Sequence, residues 1–316
     1  MDKLQCMETF VRVAECGSFI NAAEQLGITR SLVSTRIKQF EDFVKAPLFH
    51  RSTRSVRLSE IGEKYYKECS RLIHQFEHLA DEMVQSSDDL QGHLRIYITP
   101  AFAINHLGQC LAQFTQQYPC IKLEVIVNET IVDPISAGFD VVFQVFPVKF
   151  ESMVERKLFN VNRLLCASPD YIAKHGKPQH PDDIYNFEIS CYSNFPSKKK
   201  VHFLLNEEFH SYSIDTKITS SSTHVLKEYA LNGGSYAFLP TMVAYESIIK
   251  GELVPVLLDY PLSNYNFRAV FPSNSKNLSK IRVLVDFFAQ KFKKIPEWDL
   301  DLIQHGYLNK TVLEFH

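Results

Sequence analysis

Short hydroxyl and cationic side chains cluster early in this chain. Thr29, Arg30, Ser31, Ser34, Thr35 and Lys38 share one side of a segment whose other side is Val33, Ile37, Phe40 and Val44. Apolar residues four, three and four apart predict an amphipathic helix from Arg30 to about Val44, with Thr29 as its N-cap. A guanidinium and short polar groups at the start of such a helix suit base edges in the major groove of DNA, where arginine can bridge guanine O6 and N7. Taken alone, the face could equally be solvated surface. The next stretch weighs against that: Leu48-Phe49-His50-Arg51 and Ser55-Val56-Arg57-Leu58 read as strands around the turn Ser52-Thr53-Arg54. Arg51, Thr53 and Arg54 on such a basic hairpin can reach phosphates or the minor groove. Between Leu26 and Arg57, Arg30, Arg36, Lys38, Lys45, Arg51, Arg54 and Arg57 outweigh Glu41 and Asp42, so a formal net charge of −2 hides a local basic patch.

A second group of candidate contacts lies further on. Thr99-Pro100-Ala101 and Ser220-Ser221-Ser222-Thr223 each follow a predicted strand and open a predicted helix. Hydroxyls and backbone N–H groups at such junctions suit a small organic anion, which makes Thr99, Pro100, Ala101, Ser221, Ser222 and Thr223 candidate ligand contacts. The same residues also suit ordinary helix caps. Phe146 and Ser193 join them by position near the strand ends. Other chemistry finds little support. His74 and His78 are four apart on a predicted helix but have no third ligand, so a solvated pair is expected rather than a metal site. The seven cysteines form no C-x-x-C pair and read as reduced, mostly buried thiols. With no phosphate loop, no G-x-S-x-G elbow and no metal motif, neither an enzyme nor a bound cofactor is expected.

These residues need elements to hold them. A first helix is predicted over Leu4 to about Glu15 and a second from Ser18 to Leu26, closed by Gly27; with the third they form a helix-turn-helix, and the hairpin is its wing. A long helix follows from Ser59 to Ser87, about 43 Å at 1.5 Å per residue. It carries two heptad series, Gly62, Cys69, Phe76, Met83 and Tyr66, Ile73, Ala80, read as a seam for a second copy. Beyond the linker Ser86-Ser87-Asp88-Asp89, strands alternate with helices, as in open sheets covered on both faces. Strands are expected at Leu94–Thr99, Lys122–Asn128, Val141–Val145, Leu164–Ala167, Ser190–Tyr192, Lys217–Thr219, Tyr236–Leu239 and Phe267–Phe271. Helices are expected from Thr223 to Leu231, Thr241 to Lys250 and about Ser279 to Phe292. A 316-residue chain with 45% hydrophobic and 22% charged residues has room for two or three globular domains. It shows no run suited to a bilayer, and Asp2, Lys3, Glu8 and Arg12 break up any signal-peptide core, so a cytoplasmic protein is expected.

Residues 7–66 resemble the DNA-binding domain of LysR-type regulators. Phe10-Val11-Arg12-Val13-Ala14, Gly17-Ser18-Phe19, Ala22-Ala23-Glu24-Gln25-Leu26, Ile37-Lys38-Gln39-Phe40-Glu41, Pro47-Leu48-Phe49-His50-Arg51 and Leu58-Ser59-Glu60-Ile61-Gly62 carry the likeness. Gly92-His93-Leu94-Arg95-Ile96, Gly138-Phe139-Asp140-Val141, Cys166-Ala167-Ser168-Pro169-Asp170-Tyr171 and Gly251-Glu252-Leu253-Val254-Pro255 extend it into that family's effector domain. The resemblance implies an α+β multi-domain protein: a winged helix-turn-helix over 1–58, a linker helix over 59–89 and a two-lobed, periplasmic-binding-protein-like α/β domain over 90–316. Lobe I would span about 90–162 and 268–295, and lobe II about 163–267. It further implies a transcription regulator that binds double-stranded DNA, takes a small effector between its lobes, and forms a homodimer and often a homotetramer. Closure on the effector would change the angle between dimers and the bend in the DNA. Arg30, Thr35, Lys45-Ala46, Gln144 and Gly233-Gly234-Ser235 depart from the usual pattern and bear on operator and effector preference. An architectural DNA binder without an effector is the alternative. The tail from Lys293 to His316 lies outside the resemblance.

Overall fold

The computed structural model describes residues 2–51, 56–84, 90–130, 134–147, 152–194, 200–273, 279–292 and 295–309. Three capped helices open the chain: α1 (Lys3–Cys16), α2 (Phe19–Leu26) and α3 (Arg30–Val44). Each begins on the cap its sequence offers: Asp2 accepts from the Leu4 and Gln5 N–H groups, Ser18 from Asn21 and Thr29 from Leu32. Gly17 and Gly27, at φ of 57° and 65°, end the first two helices in the left-handed region. The apolar faces close on one core, with the Phe10 ring 5.5 Å from Phe40 and 5.4 Å from Phe49. β1 (Phe49–Arg51) and β2 (Val56–Leu58) form the antiparallel wing. Glu41 spends its carboxylate on this scaffold, accepting from the Leu48 N–H at 2.9 Å.

Helix α4 (Glu60–Val84) starts under the wing. The Ser59 hydroxyl accepts from the Gly62 N–H at 2.9 Å and donates to the Pro47 carbonyl at 2.7 Å. A Cβ on Gly62 would sit 2.0 Å from the Leu48 carbonyl oxygen, so only glycine lets helix and wing approach this closely. This corrects the expected seam. Gly62, Tyr66, Cys69 and Ile73 pack inside their own chain, on α1 and the wing, rather than facing a second copy. The outward stripe is Ile61, Tyr65, Leu72 and Phe76, at heptad-like intervals and from 38% to 54% exposed; of the expected seam it keeps Phe76, and the side chains of Ala80 and Met83 lie outside the described residues. The side chains of His74 and His78 and the linker at 85–89 lie outside the described residues.

The rest of the chain builds two five-stranded sheets. In chain order its elements are β3 (Gly92–Ile98), α5 (Pro100–Phe102), a π-helical turn at Ala103–Leu107, α6 (Gly108–Gln117), β4 (Ile121–Val127), α7 (Pro134–Ala137), β5 (Val141–Gln144) and β6 (Met153–Val161). Then come β7 (Arg163–Ala167), α8 (Pro169–His175), a 3₁₀ turn at Pro181–Asn186, β8 (Ile189–Tyr192), β9 (Lys200–Leu205), β10 (Glu208–Ser213) and β11 (Thr216–Ser220). The chain closes with α9 (Thr223–Leu231), β12 (Tyr236–Pro240), α10 (Thr241–Ile249), β13 (Val254–Val256), β14 (Tyr265–Pro272), α11 (Ser279–Lys291) and α12 (Glu297–Gln304). Lobe I orders its strands β4-β3-β5-β14-β6 and lobe II β11-β8-β12-β7-β13, with β9 and β10 as a separate hairpin. The chain passes from lobe to lobe at Asn162 and before Tyr265, and α12 runs from the lobe I core to the lobe II core. The return strand thus begins ahead of the expected Phe267, because Tyr265 already pairs with Val161. β6, the β9–β10 hairpin, β13 and α12 had no counterpart in the expected elements.

Two features join parts of the molecule. Arg95 on β3 donates to Glu15 of α1 at 3.0 Å, to Glu124 of β4 at 3.0 Å and to the Gly138 carbonyl at 3.1 Å, tying the winged domain to lobe I. Helix α12 lies on α10 and inserts Trp298 into the lobe I core and Leu302 into the lobe II core. Between those two residues, Asp299 is fully buried and accepts from the Asn162 amide at 2.8 Å, at a crossing between lobes.

Candidate functional site

The helix-turn-helix leaves a polar surface where its sequence pattern requires one. Arg30, Ser31, Ser34, Thr35 and Lys38 are all exposed, opposite buried Val33, Ile37 and Phe40. Two hydroxyls of this face are partly committed to the helix: Thr29 caps it at 3.3 Å to the Leu32 N–H, and Thr35 donates to the Ser31 carbonyl at 2.9 Å. Arg36, counted among the basic residues, turns inward to α1, where it contacts Thr9 at 3.4 Å and Gln5. In the wing, His50 stands opposite Arg57 in the ladder and both are exposed, adding a cation that the candidate residues omitted. Arg51 is on β1, its side chain outside the described residues, as are Thr53 and Arg54 altogether.

A cavity of about 660 Å³, counting its open mouth, lies between the lobes and is lined mostly by apolar side chains. Four of the expected contacts line it: Thr99 and Ala101 from lobe I, Phe146 just past β5, and Thr223 at the start of α9. Pro100, Ser193, Ser221 and Ser222 do not. Ser193 and Ser221 are exposed, and the Ser222 side chain makes no cap hydrogen bond. Thr99 likewise makes none, and α5 beyond it is a single short turn. Neither junction therefore behaves as an ordinary side-chain cap.

Sequence reasoning missed most of the charged and aromatic lining. Glu129 follows the carboxyl end of β4, Arg163 opens β7, Tyr192 ends β8 and Tyr265 opens β14. Four separate elements supply them, so no local spacing links them; the strand-end rule alone could have pointed to Glu129 and Tyr192. The Tyr192 hydroxyl of lobe II donates to Glu129 Oε2 of lobe I at 2.7 Å, bridging the cleft. Burial raises the Glu129 carboxyl above its ordinary range, and the Tyr192 hydrogen bond acts against this. Arg163 donates to the Ser263 carbonyl at 2.8 Å, and its guanidinium lies 4.5 Å from the Tyr265 ring centre. Phe146 packs 5.2 Å from Tyr265 and 6.1 Å from Tyr192. Among the described residues, no group of three or more His, Cys, Asp or Glu is placed to hold a metal ion, and no helix is long and apolar enough to cross a membrane.

Comparison with known proteins agrees with this layout. Residues 4–63 match the bacterial regulatory helix-turn-helix protein, lysR family, and residues 87–293 match the LysR substrate binding domain. The transcriptional regulator DmlR of Escherichia coli is 29% identical, over 94% of this chain and 97% of its own. The regulator CrgA of Neisseria meningitidis serogroup C is 28% identical, over 90% of this chain and 95% of its own. The solved CrgA structure from Neisseria meningitidis superposes with a TM-score of 0.59 at 27% identity, covering 92% of this chain and 99% of that one. The full-length Vibrio cholerae virulence activator AphB shares the fold at a TM-score of 0.63 and 24% identity, covering 92% of this chain and 99% of that one. With a winged reading head at one end and a two-lobed, cavity-bearing domain at the other, both matched along nearly their whole length, the chain belongs to the LysR family of DNA-binding transcription regulators.

Proposed function

We propose that this regulator reads a specific operator through the exposed face of α3 and answers to a small organic molecule held between its lobes. Arg30, Ser31 and Ser34 contact base edges, while Thr29, Thr35, Lys38, the wing hydroxyl of Thr53 and the basic wing residues Arg51, Arg54 and Arg57 anchor phosphates and groove walls. The observation that carries the reading is the presentation of Arg30, Ser31 and Ser34 together on one solvent-facing side of a capped helix N-terminus. Thr99, Ala101, Phe146 and Thr223 form part of the effector site. A second copy covers Ile61, Tyr65, Leu72 and Phe76 on α4, so that two reading heads meet half-sites about 34 Å apart; pairing of such dimers gives the tetramer.

The test is fluorescence anisotropy of the full chain on DNA from upstream of its own gene, against a scrambled duplex, over a salt series. Tighter binding to the native fragment is expected, weakening as salt rises. Arg30→Ala should cost about 1–3 kcal/mol and relax preference at one base position. An equal loss on unrelated sequences would make Arg30 a phosphate contact. Equal, weak binding of the wild type to both duplexes would favour an architectural binder.

A further inference from the structure

The cavity's polar atoms define a ligand class more narrowly than its position does, provided that the cleft is the effector site proposed above. Thr99, Glu129, Gln144 and Thr223 line the cavity, and in each one side-chain oxygen is buried without a hydrogen-bond partner: Oγ1, Oε1, Oε1 and Oγ1 respectively. A buried polar atom left unpaired is costly, and a buried carboxylate oxygen is the costliest of the four. The Gln144 amide is oriented by its own bond, since Nε2 donates to the Phe146 carbonyl at 3.0 Å, so its open atom is an acceptor. Glu129 gives one oxygen to Tyr192 and leaves the other as a second acceptor. The two threonine hydroxyls can either donate or accept.

The Glu129 carboxylate has no cation to answer it among the described residues. Among the described residues, the influences on its ionisation are burial and the Tyr192 hydrogen bond, with no basic group among them. Arg163 lines the same cavity, but its guanidinium is engaged by the Ser263 carbonyl and the Tyr265 ring; burial disfavours its charged form, and Tyr265 and Cys191, rather than Glu129, act against this. Around these acceptors stand Phe146, Tyr192 and Tyr265, whose ring faces attract a positive group as readily as an apolar one.

We infer that the effector of this chain is a small organic amine with an apolar body, its ammonium donating to Glu129 Oε1 and Gln144 Oε1, rather than the organic anion that the two hydroxyl-rich junctions suggest. An anion in the same place would face an unneutralised carboxylate across a low-dielectric cavity. The amine supplies the missing donors and charge while the Tyr192–Glu129 bond holds the lobes together around it. The cross-cleft bond uses the oxygen that the ligand does not need, so bridging and binding are compatible.

Ligand-observed NMR titrations of the full chain with benzylamine, benzyl alcohol and benzoate test this, since the three share a ring and differ in head group. Benzylamine is expected to bind tightest, and Glu129→Gln to weaken it at least tenfold, with an unchanged thermal unfolding transition showing that the variant is folded. Preference for benzoate would overturn the amine class but keep the cleft as an effector site. Benzylamine binding equally to the wild type and to Glu129→Gln would overturn the role of Glu129. If none of the three binds the wild type, the amine proposal fails; release of upstream DNA by some other small molecule would then keep the effector reading, and its absence in a wider screen would remove that too.

Discussion

Asp299 offers a quantitative check on how the C-terminal helix is seated. Its carboxyl is fully buried between the lobe cores, and burial pushes it up to about 6 from an ordinary 3.8, against the hydrogen bonds from Thr241 and Asn162 that favour the charged form. Asp299 Oδ1 and Asn162 Oδ1 are both buried without a partner, so a proton on the carboxyl supplies a donor to a pair of acceptors. A carboxyl whose folded value lies above its unfolded one stabilises most when protonated. That contribution is complete below 3.8, declines as pH rises through about 6, and is gone above it. A shift of about two units corresponds to about 3 kcal/mol. Asp299→Asn keeps the size and an acceptor but cannot titrate. Relative to the wild type, the variant should therefore gain about 3 kcal/mol between pH 4 and pH 7.5. That equals roughly 6–12 °C in the melting temperature of a domain this large. Thermal unfolding of both proteins across that range reads the difference directly. Parallel curves, or a wild type that gains on the variant as pH rises, would refute the reasoning.

Two further changes probe the joints of the molecule. Leu72→Glu places a charge in the middle of the exposed stripe on α4, and losing two buried leucines per dimer costs about 3 kcal/mol or more, a weakening of ~100-fold; sedimentation should show a shift towards monomer, and an unchanged mass would remove the stripe from the interface. Arg95→Met removes the cation shared by Glu15, Glu124 and the Gly138 carbonyl, a partly buried network worth about 1–3 kcal/mol. Faster amide exchange at the end of α1 and around α7 is expected, and unchanged protection would mean that the winged domain is held by other contacts.

The parts legible in the sequence are those that local chemistry specifies. Helices α1 to α3 could be placed because each has a polar cap, a single apolar face and, for two of them, a terminal glycine. Eight of the ten strands of the two sheets showed as short apolar runs between turn residues, and β6 and β13 did not. The face of α4 was not legible, because periodicity shows that a face is buried but not what buries it. Cys69 and Tyr66 repeat at heptad spacing, yet α1 and the wing cover them, and the stripe left for a second copy is offset from theirs. In the cleft, Thr99, Thr223, Glu129 and Tyr192 were within reach of the rule that ligands meet strand ends, whereas Arg163 and Tyr265 join them only once both sheets are assembled. Helix α12 was missed because its apolar residues serve two cores at once, leaving no single clean face to read.

The seating of α12 has a consequence for the order in which this protein is made. The winged domain draws its core from Cys6 to Cys69 and can form while the rest of the chain is still being synthesised. The effector domain cannot. Lobe I has a gap in its sheet until β14 arrives, and the two cores are not stitched together until Trp298 and Leu302 have left the ribosome. A nascent chain therefore carries its winged domain before it has a sensor, and the emergence of α12 joins the two cores of the sensing domain.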